Sequence, residues 1–144
     1  MTATPQAGAE THLTLEAETA ADMMTSNPVS IRGNATIQEI VTLLVDKGFG
    51  AAPVIDEAGR PMGVVSRSDV LAHIREAQAH TQHSYTPRAD DIMTPIVFSV
   101  APDMSAVKVL QEMAALKVHR LFVVAGGGSL VGVITARDIL SRLH

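Results

Sequence analysis

Gly63-Val64-Val65-Ser66-Arg67-Ser68-Asp69-Val70-Leu71 and Gly132-Val133-Ile134-Thr135-Ala136-Arg137-Asp138-Ile139-Leu140 are the same pattern written twice, 69 positions apart. Each copy runs from a glycine through β-branched residues to a hydroxyl residue, then reaches an aspartate three places on. That order describes a strand leading into a capped helix. The match extends upstream at the same offset without a gap. Asp22-Met23-Met24-Thr25 recurs as Asp91-Ile92-Met93-Thr94, Ile40 as Val109, Leu44 as Met113, Val54-Ile55 as Val123-Val124, and Gly59 as Gly128. Special residues and apolar positions do not align together over this length by chance, so the chain is a duplicated unit.

Each unit reads as β-α-β-β-α. In the first, Val29-Ser30-Ile31 is extended, and Thr36 with Glu39 three residues later forms a capping box. Ile37, Ile40, Val41 and Leu44 give the helix its apolar stripe, and Gly48 stops it. Ala51 to Ile55 is a strand in which Pro53 predicts an edge or a strand start. Asp56 to Arg60 is a turn, Pro61 to Val65 a second strand, and Ser66 or Ser68 caps the closing helix. The second unit repeats this, with Ser105 as cap, strands Leu121 to Val124 and Leu130 to Ile134 around a Gly126-Gly127-Gly128 turn, and a last helix reaching about Leu143. The expected organisation is a flexible tail over residues 1–17, unit 1 over 18–76, a connector over 77–88, and unit 2 over 89–144. One such unit buries too little apolar surface to stand alone, which argues for two units packed face to face as one α/β globule.

Composition narrows the function. Apolar residues make up 47% of the 144 and aromatics 3%, so the core is built of Val, Ile, Leu, Met and Ala. Cysteine is absent, which removes disulfides, thiol catalysis and cysteine-bound zinc. Eleven Lys and Arg against 15 Asp and Glu give a net charge of −4, which offers nucleic acid no encouragement. No positively charged start leads into a long apolar run, so no signal peptide is expected, and no run of about 18 apolar residues is present to span a bilayer. A soluble cytoplasmic protein with no membrane or nucleic-acid partner is expected.

The Asp-x-Met-Thr openings and the Gly-Val-Val-Ser-x-x-Asp and Gly-Val-Ile-Thr-x-x-Asp closings resemble the cystathionine β-synthase (CBS) domain family, whose members pair in tandem as Bateman modules. The resemblance covers residues 18–144. It implies a pseudo-two-fold pair of β-α-β-β-α units enclosing two clefts, each able to hold an adenosine-type ligand. It also implies a homodimer joined through helical faces. As the similarity takes up nearly the whole chain, no attached output domain is expected, and the signal is expected to pass to a protein partner in trans or through a change in self-association. The physical warrant for the ligand is local. Thr135 and Asp138 share one face of a helix's first turn, where a carboxylate accepts well from vicinal ribose hydroxyls. Ser66 and Asp69 repeat the arrangement, and helix capping accounts for the same four residues without a ligand.

Val118-His119-Arg120-Leu121 is similar to the phosphate-facing His-Arg-Leu of AMP-activated kinase gamma-type modules. The matching first-unit residues, Gly50 and Ala51, carry no charge, and Arg137 matches Ser68. The cleft expected to bind better therefore holds His119, Arg120, Thr135, Arg137 and Asp138. By the family's geometry it is completed by the segment Met24 to Val29, which includes Pro28, and by Phe49, Gly50 and Val133, with Ser66 and Asp69 serving the weaker one.

Catalytic chemistry has no comparable support. No nucleophile elbow, His-Glu-x-x-His or carboxylate cluster is present. His73, His80 and His83 are spaced along a helix end and a polar connector and do not make a metal set. The reading is a non-catalytic regulatory module with an adenine nucleotide as ligand and no cofactor. The alternative is a dimerisation or docking scaffold with vestigial clefts.

Overall fold

The computed structural model describes residues 13–79, 86–95 and 98–144. The elements in order are α1 (Ala20–Met23), β1 (Thr25–Ser26), β2 (Ile31–Arg32), α2 (Ile37–Asp46), β3 (Ala51–Ile55), β4 (Pro61–Ser66), α3 (Arg67–Ala79), α4 (Ala89–Ile92), β5 (Ser99–Val100), α5 (Ala106–Leu116), β6 (Arg120–Val124), β7 (Leu130–Thr135) and α6 (Ala136–Leu140). The caps act as their sequence announces. Thr36 Oγ1 accepts from Glu39 N–H at 3.1 Å while Glu39 accepts from Thr36 N–H at 2.9 Å. Ser105 Oγ accepts from Lys108 N–H at 3.2 Å.

Two sheets form, ordered β2-β3-β4 and β1-β7-β6-β5. In each, a parallel pair reached through a helix is followed by an antiparallel hairpin. Side chains alternate along every strand. Ala52, Val54 and Val65 turn inward onto Ile40 and Leu44 of α2 in one core. Leu121, Val123 and Ile134 turn inward onto Val109 and Met113 of α5 in the other. Seven of the large side chains, among them Ile40, Leu121 and Ile134, are less than 2% exposed, and each such burial is worth about 1.5–3 kcal/mol.

The repeat in sequence is not the packing unit in space. The first copy's opening motif crosses over: Thr25 and Ser26 pair with Val133 and Gly132 of β7, and Ala20 and Met23 join the second core. The second copy's motif returns the exchange, with Thr94 and Val64 bonded reciprocally at 2.8 and 3.0 Å and Ala89 in the first core. Glycine in both deciding stretches permits this. A Cβ on Gly63 would stand 2.4 Å from the Thr94 carbonyl, and one on Gly132 2.3 Å from Met24 Sδ.

Several expectations are corrected. Pro53 lies in the middle of the central strand β3, not at an edge or start. Its partner Val64 turns its N–H and carbonyl to Thr94, so the Pro53 position needs no donor toward β4. On its other side β2 begins only at Ile31, two residues after the expected Val29, so no strand asks Pro53 for an N–H there. The last helix ends at Leu140 rather than about Leu143. The chain end instead pairs with the start, through Thr14 N–H to the His144 carbonyl (2.8 Å), its reciprocal bond (3.0 Å), and a Leu15–Leu143 bridge. The expected loose tail is thus anchored from Thr14 on, and residues 1–12 lie outside the described residues. Helix α3 enters the connector as far as Ala79, residues 80–85 are again outside the description, and Arg88 then bridges to Thr36.

Candidate functional site

The strand faces turned away from the two cores look at one another across a seam. In the first sheet this face carries Ala51, Pro53, Val64 and Ser66; in the second, Arg120, Phe122, Val133 and Thr135. Two cavities open along it. One, of about 680 Å³, is lined by Thr25, Asn27, Pro28, Val29, Gly48 to Ala51, Pro53, Arg120, Val133, Thr135, Arg137 and Asp138. The other, of about 470 Å³, is lined by Val64, Ser66, Asp69, Thr94, Phe98, Val118 to Arg120 and Phe122.

Both aspartates sit third in their helices and close a capping box. Asp138 Oδ2 accepts from Thr135 N–H at 2.8 Å and Thr135 Oγ1 at 3.0 Å, and Asp138 N–H donates to Thr135 Oγ1 at 3.3 Å. Asp69 Oδ2 accepts from Ser66 N–H at 2.7 Å and Ser66 Oγ at 2.9 Å. Capping therefore occupies one oxygen of each. The other, Oδ1, takes a single long hydrogen bond from the crossed-over motif, Thr25 Oγ1 at 3.5 Å for Asp138 and Thr94 Oγ1 at 3.3 Å for Asp69. An ionised carboxylate has about four acceptor positions, so each Oδ1 keeps capacity for hydroxyl donors in its cavity.

Nine of the expected residues line the larger cavity: Pro28, Val29, Phe49, Gly50, Arg120, Val133, Thr135, Arg137 and Asp138. Four do not. Ser66 and Asp69 belong to the smaller cavity, as their role in a second cleft required. Met24 packs on Gly132 and against the second core instead of facing a ligand. His119 lines the smaller cavity beside Asp69, which corrects its expected grouping with Thr135, Arg137 and Asp138. The cause is the crossing at the seam. Residues just before a central strand bond by their carbonyl to their own repeat's strand-to-helix junction, His119 to the Ala136 N–H and Gly50 to the Arg67 N–H, both at 3.1 Å, and line the cavity that holds the other repeat's aspartate. Gly50 shares the larger cavity with Thr135 and Asp138, and its counterpart His119 shares the smaller one with Ser66 and Asp69.

Sequence reading did not single out Thr25 and Thr94 as aspartate partners, although both stand in the repeated opening motif. Asn27, within the expected Met24 to Val29 segment, lines the larger cavity, whereas Gly48, Ala51 and Pro53, and Phe98 and Phe122, were not expected as lining. The matching pairs Val29/Phe98 and Pro53/Phe122 carried the signal for the difference in cavity size. Arg67 acts as a fastener: its guanidinium donates to the Phe49 carbonyl at 3.0 Å and holds the wall that Gly48, with φ of +69°, turns into place.

Among the described residues no helix is long and apolar enough to cross a membrane, and no group of three His, Cys, Asp or Glu is placed to hold a metal. Of the three histidines weighed in sequence, His80 and His83 lie outside the described residues.

The CBS domain model matches residues 20–76 and again 89–144. CBSX2, solved in complex with AMP, superposes with a TM-score of 0.73 at 29% identity, covering 87% of this chain and 95% of that one. The cytosolic domain of the Mg2+ channel MgtE, solved in complex with ATP, gives 0.70 at 29% identity, covering 88% and 49%. The 5'-AMP-activated protein kinase subunit gamma-3 of Bos taurus is 32% identical over 113 residues, covering 76% of this chain and 22% of that protein. The chain spans 39%, 25% and 57% of the lengths of three other curated relatives. With both halves matched and the repeats interlocked across a two-cavity seam, this chain belongs to the CBS domain family, as a tandem pair with the Bateman fold.

Proposed function

We propose that the chain is a non-catalytic regulatory module that binds an adenosine-type nucleotide, AMP, ADP, ATP or a related adenosyl compound, in the cavity around Asp138. The observation that carries this is one cavity of about 680 Å³ combining a ribose acceptor with two arginines, Arg120 and Arg137, and an apolar wall of Pro28, Val29 and Val133. Such a cavity has the size of a small-molecule site, and it combines apolar walls with polar and charged side chains that can orient a ligand. Guanidinium groups bind phosphate oxygens in pairs of hydrogen bonds, a geometry unmatched by a lysine. Binding of AMP by CBSX2 and of ATP by MgtE supports the ligand class.

The signal passes to a protein partner or changes self-association as a homodimer. Leu71 and Leu140, at matching positions of the two repeats, are 66% and 65% exposed, while their neighbours Val70 and Ile139 are buried in the two cores. An apolar pair at equivalent places on α3 and α6 suits a second copy of the chain.

Calorimetric titration with AMP, ADP, ATP and S-adenosylmethionine tests the ligand reading. Saturable heat and a rise in Tm with at least one of them is expected. No heat and no shift with any would favour the scaffold alternative. Sedimentation at micromolar concentration should give twice the 15.2 kDa chain mass, and a monomer there would refute the dimer.

A further inference from the structure

Arg120 lines both cavities. It opens β6 opposite Thr135, on the seam face, so its side chain starts between the two aspartate sites. Among the described residues its guanidinium makes no hydrogen bond or ion pair, in contrast to Arg67 and Arg60, which are tied to the chain at 3.0 Å. Its counterpart in the first repeat is Ala51, so the pseudo-symmetry supplies no second arginine at the seam. The Asp138 cavity has Arg137 as well, whereas among the described residues no arginine or lysine other than Arg120 lines the Asp69 cavity.

Resting on the nucleotide reading above, we infer that Arg120 makes the two cavities compete for phosphate, so that an anionic ligand in the Asp138 cavity weakens anionic ligands in the Asp69 cavity. One guanidinium offers one fork of paired donors and cannot serve a phosphate on each side at full strength. The phosphate already bound also repels a second one entering across the same seam. The coupling is reciprocal, as linkage requires, and couplings of this type amount to about 5- to 150-fold in affinity. It needs a charged ligand: adenosine, which brings no phosphate, leaves Arg120 unengaged and the cavities independent.

The test compares AMP with adenosine by calorimetry in the full chain. In wild type, AMP should bind in two events, the weaker one at the Asp69 cavity. Emptying the Asp138 cavity with Asp138→Ala and Arg137→Ala together should tighten AMP binding at the Asp69 cavity by about 5- to 150-fold over that weaker event. Arg137→Ala alone, which removes a cation from the larger cavity without touching a cap, should weaken AMP there and tighten the Asp69 event in the same direction, and covers the case that the double variant is unstable. Adding Arg120→Ala should shrink the difference to what phosphate repulsion alone leaves, and adenosine should show none. An unchanged difference would remove Arg120 from the coupling. Two AMP events of unchanged affinity in the emptied variants, a single event in all of them, or mutual strengthening would overturn the coupling while leaving the nucleotide reading intact. Absence of heat with both AMP and adenosine in wild type would overturn the nucleotide reading itself, and the coupling with it.

Discussion

The backbone N–H of Phe122 donates to the Phe98 carbonyl at 2.9 Å, and Pro53, at the matching place in the first repeat, has no N–H to offer Val29. This difference, together with the bulk of Phe98 and Phe122 against Val29 and Pro53, sets the two cavities apart. Strand β5 begins at Ser99, whereas β2 begins one repeat position later at Ile31. Val29 stays 47% exposed in the wall of the larger cavity, and the two phenylalanines narrow the smaller one.

Pro53→Phe should therefore shrink the Asp138 cavity toward the volume of its neighbour. Forcing bulk into a fitted wall costs about 1–3 kcal/mol, or roughly 5- to 150-fold in nucleotide affinity. Titration with AMP checks it, and undiminished binding would show that the ligand does not use this part of the cavity.

Gly63 and Gly132 should respond unequally to alanine. At Gly63 the added Cβ meets the Thr94 carbonyl, a backbone atom that also holds the bridge to Val64. At Gly132 it meets mainly the flexible side chain of Met24. Gly63→Ala should cost about 1–3 kcal/mol by overpacking and Gly132→Ala less, as read from urea midpoints. Equal or reversed losses would mean that the crossed-over segments are not docked as described.

Acid should loosen the caps. Asp22 is held below the ordinary carboxylate range by the N–H groups of Thr19 and then Glu18, Glu39 by Thr36, and Asp56 by the Arg60 N–H. A carboxylate lowered in the folded state contributes stability above its unfolded value, near pH 4, and that contribution is lost as pH falls through the lowered one. Urea midpoints should be level at neutral pH and fall below about pH 4. Asp22→Ala should lower the midpoint at pH 7, with the gap to wild type closing by about pH 3. A constant gap at all pH values would assign the loss to packing alone.

The duplicated α/β unit was legible because duplication writes every signal twice: Thr36 and Ser105 as caps, the alternation in β3 and β6, the glycines before each closing helix. What the sequence hides is connectivity through space. Asp-Met-Met-Thr reads as the start of its own repeat, yet Ala20 and Met23 pack in the other core, since nothing local says which sheet edge a two-residue strand will join. The same blindness moved His119 to the wrong cavity. A residue's place along a strand fixes its face, and only the packing of the two sheets fixes what that face meets. Pro53 was misplaced for a related reason, because a proline is barred from a central strand only where a neighbour demands its N–H.

Asp138→Ala and Asp69→Ala separate capping from ligand binding. Both aspartates close equivalent boxes with Thr135 and Ser66, so each substitution should cost about 0.5–2 kcal/mol of stability, and the two should lower Tm alike. Affinity should not fall alike. Losing a charged acceptor for ribose hydroxyls is worth about 1.5–3 kcal/mol, or roughly 10- to 150-fold, and this should appear in the stronger nucleotide event only for Asp138→Ala. Asp69 faces the smaller, phenylalanine-lined cavity, so its loss should leave that event nearly unchanged. Arg137→Ala should weaken ATP and ADP more than adenosine, since a guanidinium gains most from phosphate oxygens. A larger affinity loss from Asp69→Ala would reverse the assignment of the stronger site. Equal Tm losses with no change of affinity in either variant would leave both aspartates as helix caps and nothing more.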